Sequence, residues 1–438
     1  MISSIDETLP IEDLDRIETS TCAIDSEAVS VARSTIESLG DRGVEALGEF
    51  VEMYSEALGV DRMLLDRDDL RASVDRIDPG LRSTIERAGD RIREFAELQK
   101  KCLAPCRAEL ADLGMEFGHD LIPIECAGCY APGGRFPLPS SVLMSVIPAV
   151  VAGVSTIRLA SPRPTDATLA AAWFSGADSL LAAGGAHAVG AFALGLLGPR
   201  CDIVVGPGNS FVTAAKSVVS GPDAPGGCPI SIDGLAGPSE LMVLADETAD
   251  PTVVAIDLVA QAEHDPAARV WLATTSEETR FLVRRAILEV CVGLPAENLE
   301  NVKASISRGA AIVVPDEDGL VAAADRLGPE HLEIMTDEPQ RIGDRVRHAG
   351  AVFLGRGGAE VFGDYGVGPN HILPTGGSAR RRGGLSVFDF LRTRTWIRSV
   401  GSEVPNDLVV DTARFARSEG LEAHARSAEA RSGAIVCP

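Results

Sequence analysis

Lysine is nearly missing from this chain, which carries Lys100, Lys101, Lys216 and Lys303 and no others. Its 40 basic residues stand against 64 acidic ones, a net charge of −24. So negative a surface excludes nucleic acid as a partner, because phosphate binding needs a basic face. It also gives no support to a role on a membrane surface. The acidic balance reads either as adaptation to salt or as a compositional bias of the genome. Aromatic residues make up only 4%, so the core has to be built from Ala, Val, Leu and Ile. Long apolar runs are absent as well. The longest, 142–154, is short and interrupted by Ser145 and Pro148, which excludes a spanning helix. The opening MISSIDETLPIEDLD is acidic and lacks an apolar stretch, which argues against export. Nine cysteines are scattered, and the pairs Cys102/Cys106 and Cys126/Cys129 have no downstream partner pair at zinc-ribbon spacing. A reducing cytoplasm is the expected compartment. Cys201, Cys228 and Cys291 are expected in the core, with the remaining thiols incidental.

What is present is an ordinary globular composition, 45% hydrophobic and 24% charged, over a length sufficient for two or three cores. From Ile122 to about Gly350, short β-branched runs alternate with longer amphipathic ones. Strands are expected at 155–159, 179–182, 202–205 and 230–232, with helices at 140–152, 166–174, 186–196 and 210–219. A second series has strands at 241–244, 270–273, 311–314, 332–335 and 351–354. Its helices fall at 252–263, 277–290, 319–327 and 339–348. Such alternation predicts parallel sheets covered by helices. Two series predict two similar α/β domains with a cleft between them, and the loops at the carboxyl ends of the strands are where a ligand is expected. The first 121 residues read as mostly helical (26–54, 68–98). The last helix, 411–431, has little apolar face and is expected to lie across another surface, a partner subunit included.

Seven histidines occur, and four of them stand in polar or glycine-containing settings: QAEHD, GPEHL, GPNHILPT and EGLEAH. In the first, Gln261 and His264 are three apart at a helix end, a spacing that lets both reach one metal ion. The plainer reading is a histidine donating to a carbonyl at the helix terminus. Asp364, in FGDYGVGPN, is a carboxylate in a glycine loop, or simply a turn-forming residue. Glu330 and His331 are an acid and an imidazole just before a strand. Neighbours on extended backbone point apart, so they are expected to act on different atoms, unless they are merely a solvated pair. Glu419 and His424 are five apart, off one face of an ideal helix, although Gly420 can break the helix there. The segment CDIVVGPGNSFVTAAK sets glycines between a strand and a helix, where backbone N–H groups can meet a phosphate. It lacks the G-x-G-x-x-G spacing. GCYAPGGRFPLPSS reads as a surface loop with Tyr130 exposed, or as mere turn chemistry.

Taken together, GCYAPGGRFPLPSSVLM, VVGPGNSFVTAAK, GPSELMVLAD, DLVAQAEHD, GPEHLEI, GDYGVGPNHILPT and EGLEAH resemble the histidinol dehydrogenase family, in order and at similar separations from Ile122 to His424. The resemblance implies two incomplete Rossmann-like domains with parallel sheets, a helical N-terminal segment and a C-terminal helical tail. It divides the chain into a tail 1–23, a larger domain of 24–130 and 239–386 carrying most of the zinc site, an NAD-associated domain 131–238, and a dimerisation tail 387–438. It implies one Zn2+ per subunit, held by Gln261, His264, Asp364 and His424, a mixed O/N set. It makes His331 the base and Glu330 the residue that activates water. Ser239, His371 and Glu419 join the zinc ligands and His331 around the substrate. Tyr130, His187 and Asn209 stand at positions that hold NAD+. The implied reaction takes L-histidinol through the bound aldehyde to L-histidine with two NAD. The implied homodimer lets the C-terminal segment, with Glu419 and His424, complete the partner's site.

Two features depart from the family pattern. His187, in GGAHAVGA, stands where Gln is usual. Arg381 and Arg382 follow GGSAR, where an aromatic and small polar residues are more common. As loop charges both are solvated; facing the cleft, they would favour an anionic substrate. Two other functions compete with the resemblance's own: a related dehydrogenase acting on another polar alcohol, such as a sulfonated diol, and a zinc-binding interaction protein without catalysis.

Overall fold

The architecture comes from a computed structural model that describes residues 8–17, 24–57, 60, 62–133, 137–400 and 404–432. The first strands are β1 (Leu64–Asp66), β2 (Cys106–Leu110) and β3 (Met115–Pro123). A run of five follows: β4 (Cys126–Tyr130), β5 (Thr156–Ala160), β6 (Ser179–Leu181), β7 (Ile203–Val205) and β8 (Ser231–Ile232). A second run of five comprises β9 (Glu240–Ala245), β10 (Arg269–Thr274), β11 (Ala310–Val313), β12 (His331–Met335) and β13 (Ala351–Leu354). The last strand is β14 (Leu391–Ser399).

Both runs form parallel sheets, and both use the same order. In the first, the strands lie β6-β5-β4-β7-β8, with β1 added antiparallel beside β6. In the second they lie β11-β10-β9-β12-β13. Each sheet is therefore wound outward from its first strand in both directions, so that a crevice opens between the first and fourth strands. Strands buried on both faces need near-continuous apolar sequence. CAGCY in β4 and ELMVLA in β9 are buried throughout, and so is HLEIM in β12. His331 and Glu333 inside that last strand, and Glu240 at the head of β9, break the apolar rule.

The expected α/β class and pair of parallel sheets are borne out, but the domain division needs correction. Residues 24–130 do not join the second sheet. Ile36, Leu39, Ile85 and Ile92 of the N-terminal helices pack against residues of the first sheet, and β4 is one of its central strands. Ile372, Leu385, Val387 and Phe390 also enter that first core. The second sheet has its own cores on its two faces, and Leu9 and Leu14 of the N-terminal stretch pack there.

Other expectations shift locally. The helix expected over 26–54 is two, Ser26–Arg42 and Val44–Met53, because Gly43 adopts φ 62° between them. The residues of β2 and β3 are not helical. With β14 they form a three-stranded antiparallel sheet. The helix expected at 339–348 stops at Gly343, and the helix Ala296–Ile306 was not anticipated. The final helix is a hairpin of Asn406–Ser418 and Glu422–Glu429, broken at Gly420 with φ 77°. Cys201 and Cys291 are buried, whereas Cys228 is exposed. Among the described residues no helix is long and apolar enough to cross a membrane.

Candidate functional site

A cleft of about 1500 Å³ runs between the two sheets and gathers most of the residues singled out above. Tyr130, His187 and Asn209 line it from the first sheet. Ser239, His264, Glu330, His331, Asp364 and His371 line it from the second unit. Gln261 lies just beneath, 1% exposed. The expectation about strand ends holds for one sheet only. The first sheet turns its carboxyl ends to the cleft, through Tyr130 and the Gly206–Asn209 loop. The second turns its amino ends, since Glu240 and His331 each begin a strand.

Glu330 and His331 do not point apart. Both side chains fold onto the main chain of Glu240, whose N–H donates to Glu330 Oε2 at 2.9 Å and whose carbonyl faces His331 Nδ1 at 3.0 Å. A carbonyl can only accept, so Nδ1 carries the ring proton and Nε2 keeps its lone pair. Nε2 is buried and has no partner among the described residues. Burial lowers the His331 pKa to about 3, with the Glu240 hydrogen bond opposing and the neighbouring His371 and His264 adding to the fall. The ring is a neutral base. Burial pushes the Glu330 carboxyl well above its ordinary range.

Around this pair lies a set of donors suited to a cation. One terminal atom of the Gln261 amide stands 3.1 Å from His264 Nδ1 and 2.7 Å from Glu360 Oε1. With nitrogen there, the amide donates to both; with oxygen there, three lone-pair atoms converge, an arrangement that calls for a positive ion. The helix Pro251–Ala262 ends beside these atoms, so the three-residue spacing of Gln261 and His264 does put them together. His331, Glu360 and Asp364 offer ligand atoms within 4.8 Å of one another. Burial raises Asp364 to about 6, with His264 opposing. His371 Nδ1 lies 3.7 Å from Asp364 Oδ1, and its Nε2 lies 3.3 Å from Ser141 Oγ on the first unit. Burial lowers His371 to about 4, opposed by its bond to the Asp364 carbonyl.

Glu360 was missed by the sequence reading. Its signal was there, since it stands four residues before Asp364 on one short helix, Glu360–Asp364. Asp364 is the end of that helix and not a free glycine-loop residue.

On the first sheet, Tyr130 is buried, not exposed, because it is the last residue of β4. Its hydroxyl accepts from Gly185 N–H at 3.3 Å, and burial pushes its pKa up to about 12. The strand order puts Tyr130 beside the Gly206–Asn209 loop, at the crevice between β4 and β7. Gly206 has φ 118°, and a Cβ there would lie 2.0 Å from the Tyr130 carbonyl oxygen. Only glycine fits so close an approach. Its N–H donates to Asp233 Oδ2 at 2.6 Å, and its carbonyl accepts from Lys216 Nζ. Lys216 Nζ also reaches Asp233 Oδ1 at 2.6 Å, so a buried ion pair grips Gly206 through both its N–H and its carbonyl. Asn209 caps the helix Ser210–Ser220, accepting from Phe211 and Val212 N–H. His187 is held at 2.5 Å by Glu56 and stacks on Phe50 and Tyr54. Glu56 also accepts from Gly184 N–H at 2.9 Å.

Two arginines and two C-terminal residues singled out in the sequence are placed differently. Arg382 lines the cleft, while Arg381 is exposed outside it. Glu419 and His424 are exposed on the C-terminal hairpin and do not line the cleft of their own chain.

Comparison with known proteins gives the chain a family. The family profile described as histidinol dehydrogenase matches residues 19–432. A histidinol dehydrogenase of Burkholderia lata is 39% identical over 93% of this chain and 93% of its own. One from Pseudomonas putida is 40% identical over 90% of this chain and 89% of its own. The crystal structure of a histidinol dehydrogenase from Elizabethkingia anophelis superposes with a TM-score of 0.87 at 28% identity, covering 97% of this chain and 98% of that one. With matches of this extent, the chain belongs to the histidinol dehydrogenase family.

Proposed function

We propose that the protein oxidises L-histidinol through its aldehyde to L-histidine, with zinc in the site and two NAD consumed. The family makes it an NAD-dependent oxidoreductase; the substrate, the metal and the residue roles are the proposal. The observation that carries it is His331, whose Nδ1 is tied to the Glu240 carbonyl while Nε2 stays buried, neutral and unpartnered at the cleft.

Gln261, His264 and Asp364 would hold the zinc, with His424 of a second copy completing the set. The convergence of amide, imidazole and carboxylate atoms supports that assignment. Tyr130, His187 and Asn209 would hold NAD along the first sheet, where they line the cleft at the crevice between β4 and β7. Bound zinc would orient the amino alcohol, and NAD would accept a hydride at each oxidation. His331 Nε2 takes the hydroxyl proton as the alcohol becomes aldehyde. Glu330 takes a proton from the water that adds to the aldehyde, and His331 receives a hydroxyl proton of the resulting hydrate. Two hydrides leave, water supplies the second carboxylate oxygen, and three protons are released in all. Ser239, His371 and Glu419 would contact the substrate.

The C-terminal hairpin supports a homodimer. Val410, Phe415 and Leu421 are 43%, 69% and 42% exposed on it, more apolar surface than a solvent-facing hairpin needs. Glu419 and His424 would then serve the site of the second copy.

Zinc-loaded protein given NAD and L-histidinol tests the reading, with two NADH per histidinol expected. No turnover in fully loaded protein would sink it. His331→Ala should slow the first oxidation about 10²- to 10⁴-fold while zinc content is unchanged. Glu330→Gln should spare much of the alcohol step and lose most aldehyde-to-acid flux. Equal loss in both steps would count against its part with water.

A further inference from the structure

The cleft is lined by three long cations: Arg163, Lys216 and Arg382. Lys216 is consumed by Asp233 and the Gly206 carbonyl. Arg163 stands beyond β5, on the far side of β4 from the glycine loop. Arg382 is placed differently. Its guanidinium rests on Gly234, where a Cβ would come within 2.7 Å of Nη1, at a backbone φ of 147°. Gly234 directly follows Asp233, the carboxylate that holds the Gly206 N–H. Arg382 therefore sits one residue from the support of the glycine loop.

Its bonding is incomplete. Nη2 lies 3.5 Å from Asp389 Oδ1, longer than a good charge-assisted bond, and Nε and Nη1 have no partner among the described residues. Asp389 spends its other oxygen on Ser386. The loop itself has little positive potential to offer, because Asn209 already takes the first free amides of the helix behind it. A dianionic group approaching the loop in a protein of net charge −24 needs a cation, and Arg382 has the free donors.

We propose that Arg382 binds the pyrophosphate of the dinucleotide against the Gly206–Asn209 loop. This rests on the cofactor placement proposed above. It makes Arg382 a determinant of cofactor affinity specific to this chain's sequence, with Asp389 orienting the guanidinium from behind.

Equilibrium titration of the full-length, zinc-loaded protein with NAD and with ADP-ribose tests it, and needs no turnover. Arg382→Ser should weaken both ligands about ten- to a hundredfold, the loss of one charge-assisted contact. Arg382→Lys should recover part of that loss, and Arg381→Ser should stay within twofold of the parent. Affinities held within twofold in Arg382→Ser would overturn the proposal. So would an equal fall in Arg381→Ser, which would mean a general effect of charge. Unchanged NAD binding with weakened binding of an anionic alcohol would reassign Arg382 to the substrate and overturn it too. Failure to oxidise histidinol would refute the proposed reaction while leaving these affinities to decide the role of Arg382.

Discussion

The two parallel sheets share one strand order, yet they meet the cleft by opposite ends and manage buried charge in opposite ways. On the first sheet, buried charges have partners of the other sign or saturated hydrogen bonds. Lys216 is matched to Asp233, and Arg158 donates to the carbonyls of Leu196 and Pro199. On the second sheet, Glu330, Glu333 and Glu360 are all buried, and what faces Glu330 and Glu360 at 3.7 Å is the neutral imidazole of His331. Burial raises the pKa of all three carboxyls. A paired half can stay rigid while a cofactor enters and leaves. An acidic cluster with no Lys or Arg ion-pair partner among the described residues must be satisfied by protons or by an added cation. The same fold thus presents one charge-balanced face and one acidic face to the cleft.

The sharpest way to break this comparison is to unpair the first sheet. Lys216→Met leaves Asp233 buried beside the Gly206 N–H without its cation, and should cost about 3 to 5 kcal/mol in urea unfolding. The double variant Lys216→Met, Asp233→Leu should recover much of that, because two apolar groups restore a neutral interior. It should not recover NAD affinity if the ion pair fixes the loop peptide. A double variant with parental NAD binding would make the pair a matter of stability alone.

How much of this could be read in the sequence differs between the two halves. Periodicity located nine of the ten strands of the parallel sheets, because strands buried on both faces must be apolar runs. It missed β4, whose CAGCY is short and rich in small residues; the grouping of 24–130 with the second sheet came from the family resemblance and not from periodicity. β2, β3 and β14 escaped because β2 and β14 are largely exposed and β3 only half buried. The pairing of Gln261 with His264 follows from helical spacing. The joining of Glu330 and His331 on Glu240 does not, since it depends on β9 lying beside β12, some 90 residues apart in sequence. Asp364 and Glu360 are brought in by a short helix after β13, whose trace in the sequence is their four-residue spacing. Tyr130 looked exposed beside PGG, and only its place at the end of a central strand explains its burial.

The second sheet offers a smaller test, through its need for a cation. Zinc at a hundredfold excess over its dissociation constant should stabilise the parent by about 2.7 kcal/mol, read as a rise in melting temperature, and a chelator should reverse it. Gln261→Ala should lose most of that gain. His187→Ala, on the first sheet, should keep it. An equal gain in the parent and in Gln261→Ala would show that the converging atoms do not hold the metal, and the contrast between the halves would lose its main support.

The smallest expected effect lies behind the site, at the buried carboxyls of Asp257 and Glu333, where a shared proton would take the place of a cation. Asp257 Oδ2 and Glu333 Oε2 are buried without a donor among the described residues, while Glu333 Oε1 accepts from Glu360 N–H at 2.8 Å. Burial raises Asp257 from 3.8 to about 6, and burial together with the Asp257 charge raises Glu333 from 4.5 to about 8. A carboxyl with a raised pKa binds its proton more tightly when folded. Its contribution is complete below the unfolded value and is lost as pH climbs through the folded one. The parent should therefore lose stability between about pH 4.5 and pH 8. Asp257→Asn supplies an N–H to Glu333 in place of the shared proton, so the variant should gain about 1 kcal/mol at pH 8 and little at pH 5. The same exchange on the first sheet, Asp233→Asn, should destabilise, because there it strands Lys216. Opposite signs from one chemical change would tie the difference between the sheets to their charge balance. Melting curves of Asp257→Asn running parallel to the parent from pH 5 to pH 8 would mean that Asp257 and Glu333 share no proton.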